Sequence, residues 1–258
     1  MSQPILQERV LILAGGLGTR LRSLLPDRPK VLAPIAGRPF LDILVAQLLA
    51  RGFRRIVLLL GNRADLVVAH VENRRAAWPA DVEIDFSVEK NPLGTGGALK
   101  LAERFCEDRF LLVNGDTYFD LDVAALFRMH ADTRALLTVA AAAVEDAGRY
   151  GRLETSSDGF VECFREKESP ARPGLINAGV YLMEPALLVQ IPAGRVVSLE
   201  CEVFPTLLAA GQKIAASAQS GAFFDIGTPS SYQSFIEFCR KQDLLRASET
   251  GMNHDDEH

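Results

Sequence analysis

The sequence has no run of 18 consecutive apolar residues, no C-x-x-C pair and no visible internal repeat, and each absence removes a class of protein. Without a long apolar run there is no membrane span, and Glu8 and Arg9 precede the first apolar stretch, which is not the flank of a secretory signal. Cysteines are few. Cys106, Cys163, Cys201 and Cys239 lie far apart with no histidine at metal-ligand spacing, so they read as buried thiols of a reducing compartment. An excess of basic charge is lacking too: 28 Lys and Arg stand against 33 Asp and Glu, a formal net charge of −5, which leaves no field to hold a nucleic acid. The expectation is a cytoplasmic, soluble protein that binds any anionic ligand locally, with no nucleic-acid or membrane partner. A homo-oligomer is compatible with this composition.

What is present suffices for a large core. With 258 residues, 48% of them hydrophobic and 24% charged, the chain can bury most of its apolar surface without a metal or disulfide. Val10 to Ala14, Ile56 to Leu60 and Phe110 to Val113 are short, continuously apolar runs, each ending in glycine or Asn114-Gly115-Asp116, the pattern of buried parallel strands. Helical patterns at 40–51, 64–73 and 95–105 lie between them, the first closed by Gly52. Strand and helix alternating this way predict an open α/β sheet with ligands at the carboxyl ends of the strands. The second half predicts antiparallel additions: 151–155 and 160–164 flank Ser156-Ser157-Asp158-Gly159, a hairpin signal, and 175–183 is a further strand. A last strand at 222–226 leads through Gly227-Thr228-Pro229 into a helix at about 230–245. The expected domain is 1–246, followed by a polar, disordered tail at 247–258. The chain then ends too soon for an appended solenoid of hexapeptide repeats.

The strongest local signal follows the first strand: Leu13-Ala14-Gly15-Gly16-Leu17-Gly18-Thr19-Arg20-Leu21. Its glycines let backbone N–H groups approach phosphate oxygens, and Arg20 adds a multidentate donor. Neither familiar fingerprint fits. Leu21 stands where a dinucleotide loop needs glycine, and Gly18-Thr19-Arg20 replaces the Gly-Lys-Ser/Thr of a Walker A loop. Pro26-Asp27-Arg28-Pro29-Lys30 continues the basic character, with prolines on both sides of Arg28 stiffening the segment that carries Lys30, so a polyphosphate is the expected ligand. His70, His130, His254 and His258 form no constellation.

Gly15-Gly16-x-Gly18-Thr19-Arg20-Leu21 followed by Pro29-Lys30 resembles the signature of sugar-1-phosphate nucleotidyltransferases. The likeness extends to about residue 240 through Pro92-Leu93-Gly94-Thr95-Gly96-Gly97-Ala98, Asn114-Gly115-Asp116, Glu166-Lys167, Asn177-Ala178-Gly179, Ser198-Leu199-Glu200 and Phe224-Asp225-Ile226-Gly227-Thr228-Pro229. Within that family it looks most like the D-glycero-α-D-manno-heptose 1-phosphate guanylyltransferase branch. The implied fold is α/β, Rossmann-like and GT-A-like, with a mixed, mainly parallel central sheet and an antiparallel sugar-binding lobe.

The resemblance implies roles for individual residues. Asp116 and Asp225 would hold Mg²⁺, a hard cation that takes one or two carboxylates together with phosphate oxygens and water. With them, Arg20 and Lys30 complete the implied catalytic set by neutralising departing pyrophosphate. Leu13, Ala14, Gly15, Gly16, Gly18, Thr19, Arg20, Lys30, Gly94, Thr95, Gly96, Asn114 and Gly115 would bind an NTP, with GTP favoured. Glu166, Lys167, Asn177, Gly179 and Glu200 would bind the sugar 1-phosphate. Apart from the resemblance, Thr95 also suits a helix N-cap, Glu200 the start of a helix at 201–210, and Asp120 and Asp122 turns or caps.

Overall fold

Strand Val10–Leu13 is apolar on both faces because it runs between two parallel neighbours with helices above and below. The computed structural model describes residues 6–16, 18, 21, 28–148, 150–165 and 172–242. In chain order its strands are β1 (Val10–Leu13), β2 (Pro34–Ile35), β3 (Arg38–Pro39), β4 (Arg55–Leu60), β5 (Glu83–Val88), β6 (Phe110–Asn114), β7 (Thr117–Phe119), β8 (Leu137–Val144), β9 (Arg152–Thr155), β10 (Val161–Arg165), β11 (Gly174–Met183), β12 (Ile214–Gln219) and β13 (Phe223–Asp225). The α-helices are α1 (Phe40–Ala50), α2 (Ala64–Arg74), α3 (Gly94–Leu101), α4 (Val123–Thr133), α5 (Phe204–Ala209) and α6 (Pro229–Lys241).

One nine-stranded sheet organises the molecule, in the order β10-β9-β11-β6-β1-β4-β5, with β8 paired to β11 and β12. β6, β1, β4 and β5 are mutually parallel, whereas β11 runs antiparallel to β6, β8 and β9. Alternation along each strand sends side chains to two separate cores. Val10 and Ile12 pack on one face against Phe40 and Leu44 of α1, Val67 of α2 and Phe235 of α6. Leu11 and Leu112 face the other way, toward Leu99 of α3 and Phe204 of α5. The expected mixed α/β sheet is what the chain forms.

Several details differ from the sequence expectation. The pattern at 95–105 divides into α3 and a 3-10 turn at Glu103–Phe105, and the last helix ends at Lys241. β12 joins β8 in parallel, so the second half is not wholly antiparallel. β5, β8 and β12 carry weaker signals: β5 alternates polar and apolar residues at the sheet edge, and β8 is mostly alanine. Cys106 and Cys239 are buried, burial pushing their thiols up to about 12 and about 11, but Cys201 is exposed and Cys163 half-buried. The expected tail lies outside the described residues. Among the described residues, no helix is long and apolar enough to cross a membrane.

Candidate active site

A cavity of about 360 Å³ opens at the carboxyl ends of the adjacent parallel strands β1 and β6. Leu13, Ala14, Gly15, Gly16 and Gly18 form one wall, and Asn114, Gly115 and Asp116 the next. Gly18 has φ +59°, a conformation that glycine adopts without strain, and no atom lies within 4 Å of where a Gly16 side chain would start. The loop therefore presents bare backbone to the cavity.

Lys30 reaches this cavity from a short helical turn, Lys30–Leu32, whose Val31 and Leu32 are buried and so fix the direction of the lysine. Its Nζ lies 2.7 Å from Asp116 Oδ2 and 3.8 Å from Asp225 Oδ1. The aspartates converge because β7 pairs antiparallel with β13, setting Asp225 opposite Thr117, while Ile226 N–H donates to the Asp116 carbonyl. Helix α6 clamps this arrangement: Phe235 packs against Phe40, Tyr118 and Phe224, and the Tyr232 hydroxyl donates to the Pro34 carbonyl beyond Lys30. Two carboxylates thus face one ammonium. That set suits Mg²⁺, which needs few protein ligands when phosphate oxygens complete its shell. Among the described residues no group of three or more His, Cys, Asp or Glu is placed to hold a metal.

Glu89 was not foreseen. It follows β5 directly and lines the cavity, with Oε2 accepting the Leu93 N–H at 3.0 Å. Gly15 and Gly61 make room for it, since a side chain starting at Gly61 would meet Glu89 Oε1 at 2.6 Å. Burial raises the Glu89 pKa, the Leu93 N–H opposing that shift. The only sequence signal was its place at the end of a strand, and that strand was itself unread.

Gly94 and Thr95 also line the cavity, and the loop that carries them is bonded to the segment around Val197 and Glu200. Gly96 is buried and donates to the Val197 carbonyl at 2.9 Å, and Val197 N–H donates to the Leu93 carbonyl at 2.8 Å. Thr95 does not cap α3. Its Oγ1 accepts the Leu199 N–H and donates to Glu200 Oε2, both at 2.8 Å. Glu200 lies in a π-helical turn, Leu199–Val203, that runs into α5.

Asn177 and Gly179 lie where the β11–β8 register shifts. Gly179 has φ +68° and supports the Asn114 carboxamide: a side chain starting there would meet Asn114 Nδ2 at 2.6 Å. Asn177 Oδ1 accepts the Gly179 N–H, and Asn177 Nδ2 donates to the Tyr181 hydroxyl at 2.8 Å. Tyr181 is fully buried, and its hydroxyl donates to Glu200 Oε1 at 3.4 Å. Burial, then the facing Glu200, pushes the phenol well above its ordinary range, so it remains a donor. The sequence reading placed Tyr181 only within the strand at 175–183 and did not foresee this contact. Thr19, Arg20, Glu166 and Lys167 lie outside the described residues.

His70 pairs with buried Asp42 at 2.6 Å, and His130 with Thr138 and Glu184, away from the cavity. Asp122 caps α4 by accepting the Ala125 N–H, and Asp120 pairs with Arg51.

The chain is 35% identical over 228 residues to mannose-1-phosphate guanylyltransferase of Mycobacterium tuberculosis, covering 88% of this chain and spanning 63% of that protein's length. It is 31% identical over 231 residues to D-glycero-alpha-D-manno-heptose 1-phosphate guanylyltransferase of Campylobacter jejuni, covering 88% of this chain and 98% of that one. The crystal structure of HddC from Yersinia pseudotuberculosis complexed with GMP-PN matches at TM-score 0.80 and 35% identity, over 90% of this chain and 99% of that one. The family model described as Nucleotidyl transferase matches residues 9–242, a span that contains the whole cavity, and the chain belongs to that family.

Proposed function

We propose that the chain is a guanylyltransferase that joins GTP to D-glycero-α-D-manno-heptose 1-phosphate, giving GDP-heptose and pyrophosphate. The observation that carries the reaction class is Lys30 between Asp116 and Asp225 beside a bare glycine loop. The guanylyltransferase relatives support the base, as does Glu89 on the cavity wall. Its ionised carboxylate only accepts hydrogen bonds, which matches the donor edge of guanine. We assign the chain to the cytoplasm.

The sugar phosphate is its own nucleophile, being largely dianionic with a second pKa of about 6. Its oxygen forms a bond to the α-phosphorus of GTP as the bond to pyrophosphate breaks. The protein's task is in-line placement and charge balance. In this reading Lys30 and Arg20 meet the charge growing on the leaving group, Lys167 holds the sugar phosphate, and Asn177 and Glu200 serve the sugar side. Mg²⁺ held by Asp116 and Asp225 would supply further neutralisation of phosphate charge.

The test is pyrophosphate release with GTP, UTP, CTP and dTTP against a panel of sugar 1-phosphates. GTP is expected to lead in kcat/KM by at least about tenfold, roughly 1.4 kcal/mol of transition-state preference, with the heptose ahead of glucose. Preference for UTP or dTTP overturns the base. A second reading, mannose 1-phosphate as the sugar, is favoured by the 35% identity to the Mycobacterium tuberculosis protein. Mannose 1-phosphate ahead of the heptose, with GTP retained, overturns the sugar alone.

A further inference from the structure

Glu200 is held from two sides by residues that belong to different halves of the molecule. Thr95 Oγ1 donates to Oε2 at 2.8 Å and Ser198 Oγ to the same oxygen at 3.2 Å. Tyr181 donates to Oε1 at 3.4 Å, and its own hydroxyl oxygen accepts from Asn177. A carboxylate oxygen offers about two acceptor sites. Among the described residues Oε2 is therefore filled by two hydroxyls, while Oε1 receives one and is the oxygen better placed to read a substrate hydroxyl.

The proton directions are determined as well. Thr95 Oγ1 already accepts the Leu199 N–H, and an ionised Glu200 can only accept, so the single Thr95 hydroxyl proton is committed to Glu200. The same loop is sewn to the segment before Glu200 by Val197 N–H to the Leu93 carbonyl and Gly96 N–H to the Val197 carbonyl. Side chains starting at Gly94 or Gly97 would come within 2.5 Å of the Val197 or Arg195 carbonyl. This part of the loop is shaped to seat the Glu200 segment.

We infer that Thr95 and Tyr181 are positioning residues for sugar discrimination: together they aim Glu200 Oε1, and Thr95 joins the nucleotide cavity to the sugar side. Thr95 acts through Glu200 and makes no hydroxyl donation to nucleotide. The inference rests on the sugar-1-phosphate reading above.

The test is a double-mutant cycle with Thr95→Val, Thr95→Ser, Tyr181→Phe and Glu200→Gln. It is read as kcat and KM for sugar 1-phosphates and as affinity for a non-hydrolysable GTP analogue. Thr95→Val should raise the sugar 1-phosphate KM by about tenfold and narrow the difference between epimers, with nucleotide affinity within about threefold of wild type. Thr95→Ser should restore most of the loss. Because Thr95→Val also leaves the Leu199 N–H without its acceptor, Tyr181→Phe provides a second probe that keeps that bond. In the Glu200→Gln background both effects should shrink to about twofold or less. Full additivity with Glu200→Gln, or a Thr95→Val defect confined to nucleotide affinity, overturns the inference alone. A wild-type chain that binds nucleotide yet turns over no sugar 1-phosphate overturns the function beneath it.

Discussion

The two sides of this molecule solve recognition with different materials. The side we assign to the nucleotide presents mainly main chain: β1 and β6 end in glycine-containing turns, and among the described residues the charged side chains lining the cavity are Lys30, Asp116 and Glu89. The side we assign to the sugar uses side chains donated by separate elements, with Glu200 held by Thr95, Ser198 and Tyr181, and Asn177 behind Tyr181. A backbone site is written in a short contiguous motif, because its geometry follows from local φ/ψ and the strand before it. A side-chain network exists only once the sheet has brought its members together.

The strongest way to break this comparison is at the charge centre between the halves. Asp116→Asn and Asp225→Asn should each nearly abolish turnover while circular dichroism shows the fold intact, and EDTA should mimic both. Activity within about tenfold of wild type in both variants, or full activity in EDTA, would remove the metal role.

A smaller effect is expected at the base. Glu89→Gln replaces an acceptor by a group that both accepts and donates, and should cut the preference for GTP over UTP by at least about tenfold in kcat/KM. An unchanged preference would place base reading elsewhere.

The halves separate most cleanly at Gly94, which has φ +72° and lies against the Val197 carbonyl. Gly94→Ala should cost about 1–3 kcal/mol of stability by denaturant titration and weaken sugar 1-phosphate use more than nucleotide binding. Equal loss on both sides would mean that the loop serves the nucleotide as much as the sugar.

The smallest effect lies away from both sites. Burial lowers the His130 pKa below the ordinary histidine value of about 6.5, with Glu184 opposing the shift. The unfolded chain then takes up a proton that the folded chain resists, so stability should fall as pH drops through and below about 6.5. His130→Asn should flatten that slope in melts at pH 7 and pH 5. An unchanged slope would assign acid lability to other groups.

How far the site could be read in advance follows the same division. Strands β1, β4 and β6 are short, continuously apolar runs with glycine or Asn-Gly-Asp at their ends, and their place in the sheet was legible. β5 reads Glu-Ile-Asp-Phe-Ser-Val, so neither the strand nor Glu89 beyond it was found. Thr95 was read as a nucleotide ligand or a helix cap, both local uses of a threonine beside glycines. Its actual partners, Leu199 and Glu200, lie about a hundred residues away.

By itself the sequence determined the α/β alternation and the glycine loop after β1, because periodicity and glycine placement are local properties, while only the family resemblance grouped Lys30, Asp116 and Asp225. Tertiary structure alone decided how Thr95, Ser198 and Tyr181 divide between the two oxygens of Glu200, why Gly94 and Gly97 must lack side chains, and that Tyr181 is a donor as well as a core residue. Those outcomes depend on backbone approach and hydrogen-bond direction between elements far apart in the chain, and no local pattern encodes them.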